Sequence, residues 1–159
     1  MIISASRRTD IPAFYSDWLL RRLAQGYCRV PNPFNARQIS TISLKESDVD
    51  ALVLWTRDMR PLLGRLDELI RRQPRFYVLY TITGYGPPWE PCTPPLAESV
   101  VAFRQLAQRI GRERVFWRYD PILFTQRLTP AFHRQHFAAL AEQLAGSTTR
   151  VIVSLFDMY

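Results

Sequence analysis

A chain of 159 residues, 47% apolar and 22% charged, has the apolar mass for one globular domain and too little length for two. That composition excludes a disordered tail, and no stretch reaches the roughly 18 consecutive apolar residues of a membrane span. The net charge of +7, carried by arginine at every basic position except Lys45, points to nucleic acid or small anions as partners, although so one-sided a preference for arginine also follows from a GC-rich coding bias.

The start, Met1 to Arg8, lacks the apolar centre of a secretory signal, and two cysteines, Cys28 and Cys92, are too few for a disulfide framework or a four-ligand metal site. A reducing, cytoplasmic compartment is the expectation. Ile2 to Ala5 predicts a first strand. A helix over 16–25 follows, capped by Ser16 or Asp17, stopped by Gly26, with Trp18, Leu19, Leu23 and Ala24 on its inner face. Alternation over 27–30 and 38–44, joined through Pro31 to Asn35, predicts a hairpin outside the main sheet.

The continuous apolar run 51–55 reads as a strand covered on both faces. Asp58 then caps a single helix over 59–72, with Met59, Leu62, Leu66 and Leu69 in its stripe and Arg71 and Arg72 at the cation-favouring end. A strand over 76–83 leads into the proline-rich loop 84–95. Helix 96–110, strand 115–119, helix 130–145 under a Thr129-Pro130 cap, and strand 151–155 complete the chain. Trp55 and Trp117, both within strands, read as core residues.

This alternation predicts an α/β fold with a parallel sheet of five main strands, four helices and one extra hairpin. Because no helix follows the last strand, the pattern resembles the first part of a (β/α) barrel, typically about 250 residues long, and predicts an incomplete barrel with an open flank through which the chain would self-associate.

Ligands of parallel α/β proteins bind where the strands end. Those ends carry Arg7, Arg8, Thr9 and Asp10 after the first strand, and Thr56, Arg57 and Asp58 after the second. Thr83, then Arg118 and Asp120, then Asp157 follow, with Asn32 in the hairpin turn. Arg7, Arg8 and Arg118 suit bidentate recognition of a carboxylate or phosphate, and Asp10 and Asp120 suit orienting them or moving protons. The bland alternative pairs Arg8 and Asp10 with Arg118 and Asp120 as ion pairs that fix the mouth. His133 and His136 share a helix face but have no third ligand beside them, so no metal site is expected.

The motifs Ser4 to Tyr15, Asn32-Pro33-Phe34-Asn35, Trp55-Thr56, Trp117 to Ile122 and Ser154 to Tyr159 resemble the bacterial family called domain of unknown function 1848. The resemblance implies longer members that continue into a cysteine-rich segment similar to an iron–sulfur site. This chain has no such segment, so no cofactor is expected within it. Arg118-x-Asp120-Pro121 is also similar to radical S-adenosylmethionine barrels related to spore photoproduct lyase, without their cluster loop. The leading expectation is the N-terminal part of a redox or radical-type iron–sulfur enzyme that binds a small anionic or phosphorylated ligand. An arginine-rich nucleic-acid or DNA-repair module, with Tyr85, Trp89 and Tyr119 stacking on bases, is the alternative. An inactive fragment is the third.

Overall fold

The computed structural model describes residues 1–6 and 8–156. β1 (Ile2–Ser4) is followed by α1 (Ile11–Phe14) and α2 (Ser16–Gln25), then by β2 (Tyr27–Asn32) and β3 (Asn35–Ser43). β4 (Ala51–Thr56), α3 (Arg60–Leu63), α4 (Leu66–Arg72) and β5 (Phe76–Thr81) come next. α5 (Leu96–Ile110), β6 (Val115–Ile122), α6 (Pro130–Leu144) and β7 (Val151–Leu155) complete the order.

Five strands form one parallel sheet in the order β1-β4-β5-β6-β7, and β2 and β3 pair antiparallel by themselves. Consecutive main strands are therefore neighbours, and every crossover steps the same way along the sheet. With the right hand usual for such connections, the helices share one face. That face buries Leu52, Leu54, Phe76, Val78, Tyr80, Val115, Trp117 and Tyr119 in one cluster with Leu20, Leu62, Leu69 and Phe103 from the helices. The opposite face carries Ser4, Val53, Trp55, Leu79, Thr81, Arg118 and Asp120 by alternation and register. Among the described residues the sheet is open, with β1 and β7 at its edges, so no closed barrel is present.

Several local expectations are corrected. The helix over 59–72 is two helices, because Gly64 weakens the middle and Arg65 leaves helical geometry, held by ion pairs to Asp17 and Glu68. An unexpected short helix, α1, precedes α2, so there are six α-helices among the described residues. Asp10 caps α1 through Ala13, whereas α2 starts after Tyr15 without a side-chain cap, and neither Ser16 nor Asp17 fills that role. Trp18 and Ala24 lie outside α2's inner face, which is Leu19, Leu20 and Leu23. Trp55 is 38% exposed and belongs to no core, unlike Trp117 at 2%. No helix is long and apolar enough to cross a membrane among the described residues.

Candidate functional site

The chain leaving β1 and the chain leaving β4 are tied together by one carboxylate. Asp10 Oδ1 accepts from the Ala13 amide at 3.0 Å, and its Oδ2 accepts from the Arg57 amide at 2.7 Å. Thr56, buried at the end of β4, turns the chain by accepting from the Asp58 amide at 2.9 Å. Asp58 in turn accepts from the Arg60 amide and pairs with its guanidinium at 2.8 Å, while the same guanidinium also reaches Glu98.

Arg57 points across the sheet edge. Its Nη1 donates to Thr83 Oγ1 at 3.3 Å and to Glu90 Oε1 at 2.5 Å. The Thr83 hydroxyl also donates to Glu90 Oε1 at 2.5 Å, and the Tyr85 amide donates to Oε2 at 3.2 Å. Glu90, with its side chain 10% exposed, thus fastens the 84–95 loop to the ends of β4 and β5. Nη2 and Nε of Arg57 have no protein partner among the described residues.

On the uncovered face, Arg118 pairs with Asp120 and reaches Thr81 Oγ1 at 3.4 Å, and Asp120 accepts the Ser154 hydroxyl. The guanidinium lies over the Trp55 ring, 4.5 Å from its centroid. Burial, and after it the charge of Arg57, pulls the Arg118 pKa below its ordinary value. The two arginines therefore head adjoining polar groups, Arg57 with Thr83 and Glu90 at the edge, Arg118 with Thr81 and Asp120 just inside it.

Aromatic packing stiffens the β6 end of this layer. His133 Nε2 lies 2.9 Å from the Leu123 carbonyl, which only accepts, so Nε2 carries the proton and Nδ1 accepts from the Tyr119 hydroxyl at 2.8 Å. Tyr85 packs edge-on against Tyr119 and donates to the Pro121 carbonyl at 2.8 Å. His136 Nε2 reaches the Thr83 carbonyl at 2.8 Å. Both histidines are spent on the fold, and no group of three metal-ligating side chains occurs among the described residues.

Above the strand ends, between α1 and the 84–95 loop, lies an open groove of about 780 Å³. Asp10, Arg57, Asp58, Arg60 and Glu90 form its polar floor; Phe14, Tyr85, Trp89, Leu123 and Phe156 supply apolar walls. Of the residues singled out from the sequence, Asp10 and Arg57 line this groove, with Thr83 and Thr56 just behind them. Arg118 and Asp120 form their own pair on the uncovered face and do not line it. Arg8 is exposed and donates to the Pro31 carbonyl at 2.8 Å, Thr9 is exposed, and Asn32 shapes the hairpin turn through Gln38 and the Phe34 amide. The cross-pairing of Arg8 and Asp10 with Arg118 and Asp120 does not occur, since Arg118 takes Asp120 and Asp10 takes backbone amides. Arg7 and Asp157 lie outside the described residues. Glu90 escaped the sequence reading, although it is the lone acid in the 84–95 loop and so the natural partner for an arginine at the strand ends.

The model of the family described as "Domain of unknown function (DUF1848)" matches residues 2–159, and the chain belongs to that family. No curated protein and no solved structure matches it. An iron–sulfur cluster does not fit the residues present: cluster ligation takes about four thiolates, whereas Cys28 is buried in β2 and Cys92 is exposed in the 84–95 loop. Burial also raises the Cys28 pKa, with Arg22 opposing, which suits an inert thiol.

Proposed function

We propose that the chain is the ligand-binding part of a (β/α)-barrel-type enzyme, and that its groove holds a small organic anion, a phosphate ester or carboxylate with an apolar body. Arg57 carries this reading. One edge of its guanidinium is fixed by Thr83 and Glu90, while Nε and Nη2 are left for a ligand in the groove. A planar fork already held in place loses little freedom on binding an oxyanion. The apolar walls suit a ligand body of aromatic character, and the groove volume falls in the usual range of about 300–1,000 Å³ for small-molecule sites.

Within that reading Asp10 is a positioning residue, because both its oxygens already accept backbone amides and set the direction of Arg57. Arg118 and Asp120 keep a second polar layer beneath the edge, outside the groove, with the Asp120 carboxylate held by Ser154. The sequential strand order supports barrel-like curvature. The redox chemistry implied by the family resemblance has no ligand set here, and no step is assigned to it.

Calorimetric titration with phenyl phosphate tests the proposal. Binding is expected, with phenol binding far more weakly. Arg57→Gln should weaken it about tenfold or more, because a neutral amide cannot form the charge-assisted hydrogen bonds of the guanidinium. Equal affinity of the wild type and Arg57→Gln would overturn it.

A further inference from the structure

The charge of the chain is less evenly spread than its composition implies. From Trp18 to Lys45 there is no acidic residue, while Arg21, Arg22, Arg29, Arg37 and Lys45 all fall in that segment. The other half of the picture is where the acids go. Arg57, Arg60, Arg65, Arg72, Arg109, Arg112 and Arg118 each have a carboxylate partner, and none of the five cations of the segment has one among the described residues. Folding thus pairs part of the basic residues around the sheet with carboxylates, Arg75, Arg104 and Arg114 binding backbone carbonyls instead, and leaves every cation of the acid-free 18–45 segment without a carboxylate among the described residues.

The hairpin also has two distinct faces. Cys28, Val30 and Ile42 turn toward the core. By alternation and register, Tyr27, Arg29, Arg37, Ile39 and Thr41 turn away from it, with Tyr27 40% and Ile39 58% exposed. Phe34, at the turn, is 96% exposed, an unusual position for a phenylalanine, and Asn35 and the hydrogen-bonded Asn32–Gln38 pair surround it with amides. The bond from Arg8 to Pro31 brings that turn to the end of the molecule where β1 exits, the side on which the groove opens.

We infer that the β2–β3 hairpin is a binding surface for single-stranded nucleic acid, with Phe34 stacking on an unpaired base and Arg29 and Arg37 on neighbouring phosphates. An exposed aromatic beside unneutralised guanidinia is the combination that such strands bind, and the amides offer partners to base edges. A duplex would hide the base faces from Phe34. An anionic membrane is less well matched, since the turn presents a single apolar side chain flanked by amides where insertion needs a broad apolar face. This surface is separate from the groove, and neither proposal depends on the other.

Fluorescence anisotropy with a labelled oligothymidylate tests it on the full chain. Phe34→Ala should weaken binding about tenfold, as loss of one stacked base does. Arg29→Glu with Arg37→Glu should weaken it further and flatten the dependence of log affinity on log salt by about two. Arg71→Glu with Arg112→Glu, an equal charge change away from the hairpin, should do neither, and all variants should keep the wild-type circular dichroism. The proposal is overturned if the oligonucleotide does not bind, if the two double variants weaken binding alike, or if phosphatidylserine vesicles bind through Phe34 while the oligonucleotide does not.

Discussion

Arg118 reaches across β5 to lie over Trp55, its guanidinium carbon 4.5 Å from the ring centroid. The two residues stand on β6 and β4, and Leu79 of the intervening β5 is paired in register with both Trp55 and Phe116. A tryptophan at 38% exposure and an arginine with its side chain at 18% shelter each other on a sheet face that no helix covers among the described residues. The ring takes the place of the water that the guanidinium lost, and Asp120 takes the place of its counterion.

A double-mutant cycle with Trp55→Leu and Arg118→Leu measures that relationship. Coupling of about 1 kcal/mol is expected from urea unfolding, the range of a partly desolvated cation–π pair. Additive losses would show that the stacking contributes nothing.

Glu90→Gln should loosen the 84–95 loop. The neutral amide cannot offset the Arg57 charge, but Arg57 is 38% exposed, so solvent recovers part of the loss. A destabilisation of about 1–2 kcal/mol follows, below the cost of breaking a fully buried pair. Limited proteolysis should cut within 84–95 in the variant before the wild type; identical cleavage patterns would refute the clamp.

Two glycines of the same loop should respond differently to alanine. Both have left-handed backbones, Gly84 at φ +65° and Gly86 at φ +64°. A Cβ on Gly84 would come within 2.9 Å of His136 Nε2, which is committed to the Thr83 carbonyl, and within 3.1 Å of Leu96; a Cβ on Gly86 meets nothing within 4 Å. Gly86→Ala should cost about 1–2 kcal/mol for conformation alone, and Gly84→Ala about 1–3 kcal/mol more for overpacking. Equal losses in thermal unfolding would contradict the close approach of α6 to the loop.

Alkaline stability should track two buried phenols, Tyr80 and Tyr119, and the half-buried Tyr85. Burial pushes the Tyr80 hydroxyl up to about 12 and is the largest cause raising those of Tyr85 and Tyr119 as well. The folded protein keeps protons that the unfolded chain releases around the ordinary value of 10.0, so these groups favour the fold below pH 10 and cease to as pH climbs toward about 12. In an ultraviolet difference titration Tyr80, Tyr85 and Tyr119 should ionise only as circular dichroism is lost. One reversible step near pH 10 for every tyrosine would exclude the burial.

Periodicity located the strands because a continuous apolar run such as 51–55 fits only a strand packed among others, and it located α5 and α6 because their stripes run unbroken for four turns. It failed at 59–72, where the stripe continues through Gly64 although the backbone does not, since side-chain spacing is blind to a break that keeps the same face inward. It failed again at Trp55, where burial depends on whether a second layer covers that face.

The sequence by itself determined the parallel sheet, its crossover helices, the separate hairpin and the gathering of polar residues at the strand ends, because each follows from local pattern and from the direction in which parallel strands run. Only the tertiary structure decided which of those polar residues face one another. Arg57 with Glu90, Arg118 with Asp120 over Trp55, and Asp10 with the Arg57 amide are matches made between strands and loops distant in sequence or reaching across a neighbouring strand. The number of charges is fixed along the chain, but their neutralisation is a matter of distance, and that is why the unneutralised arginines of the hairpin emerge only once the acids have found their partners.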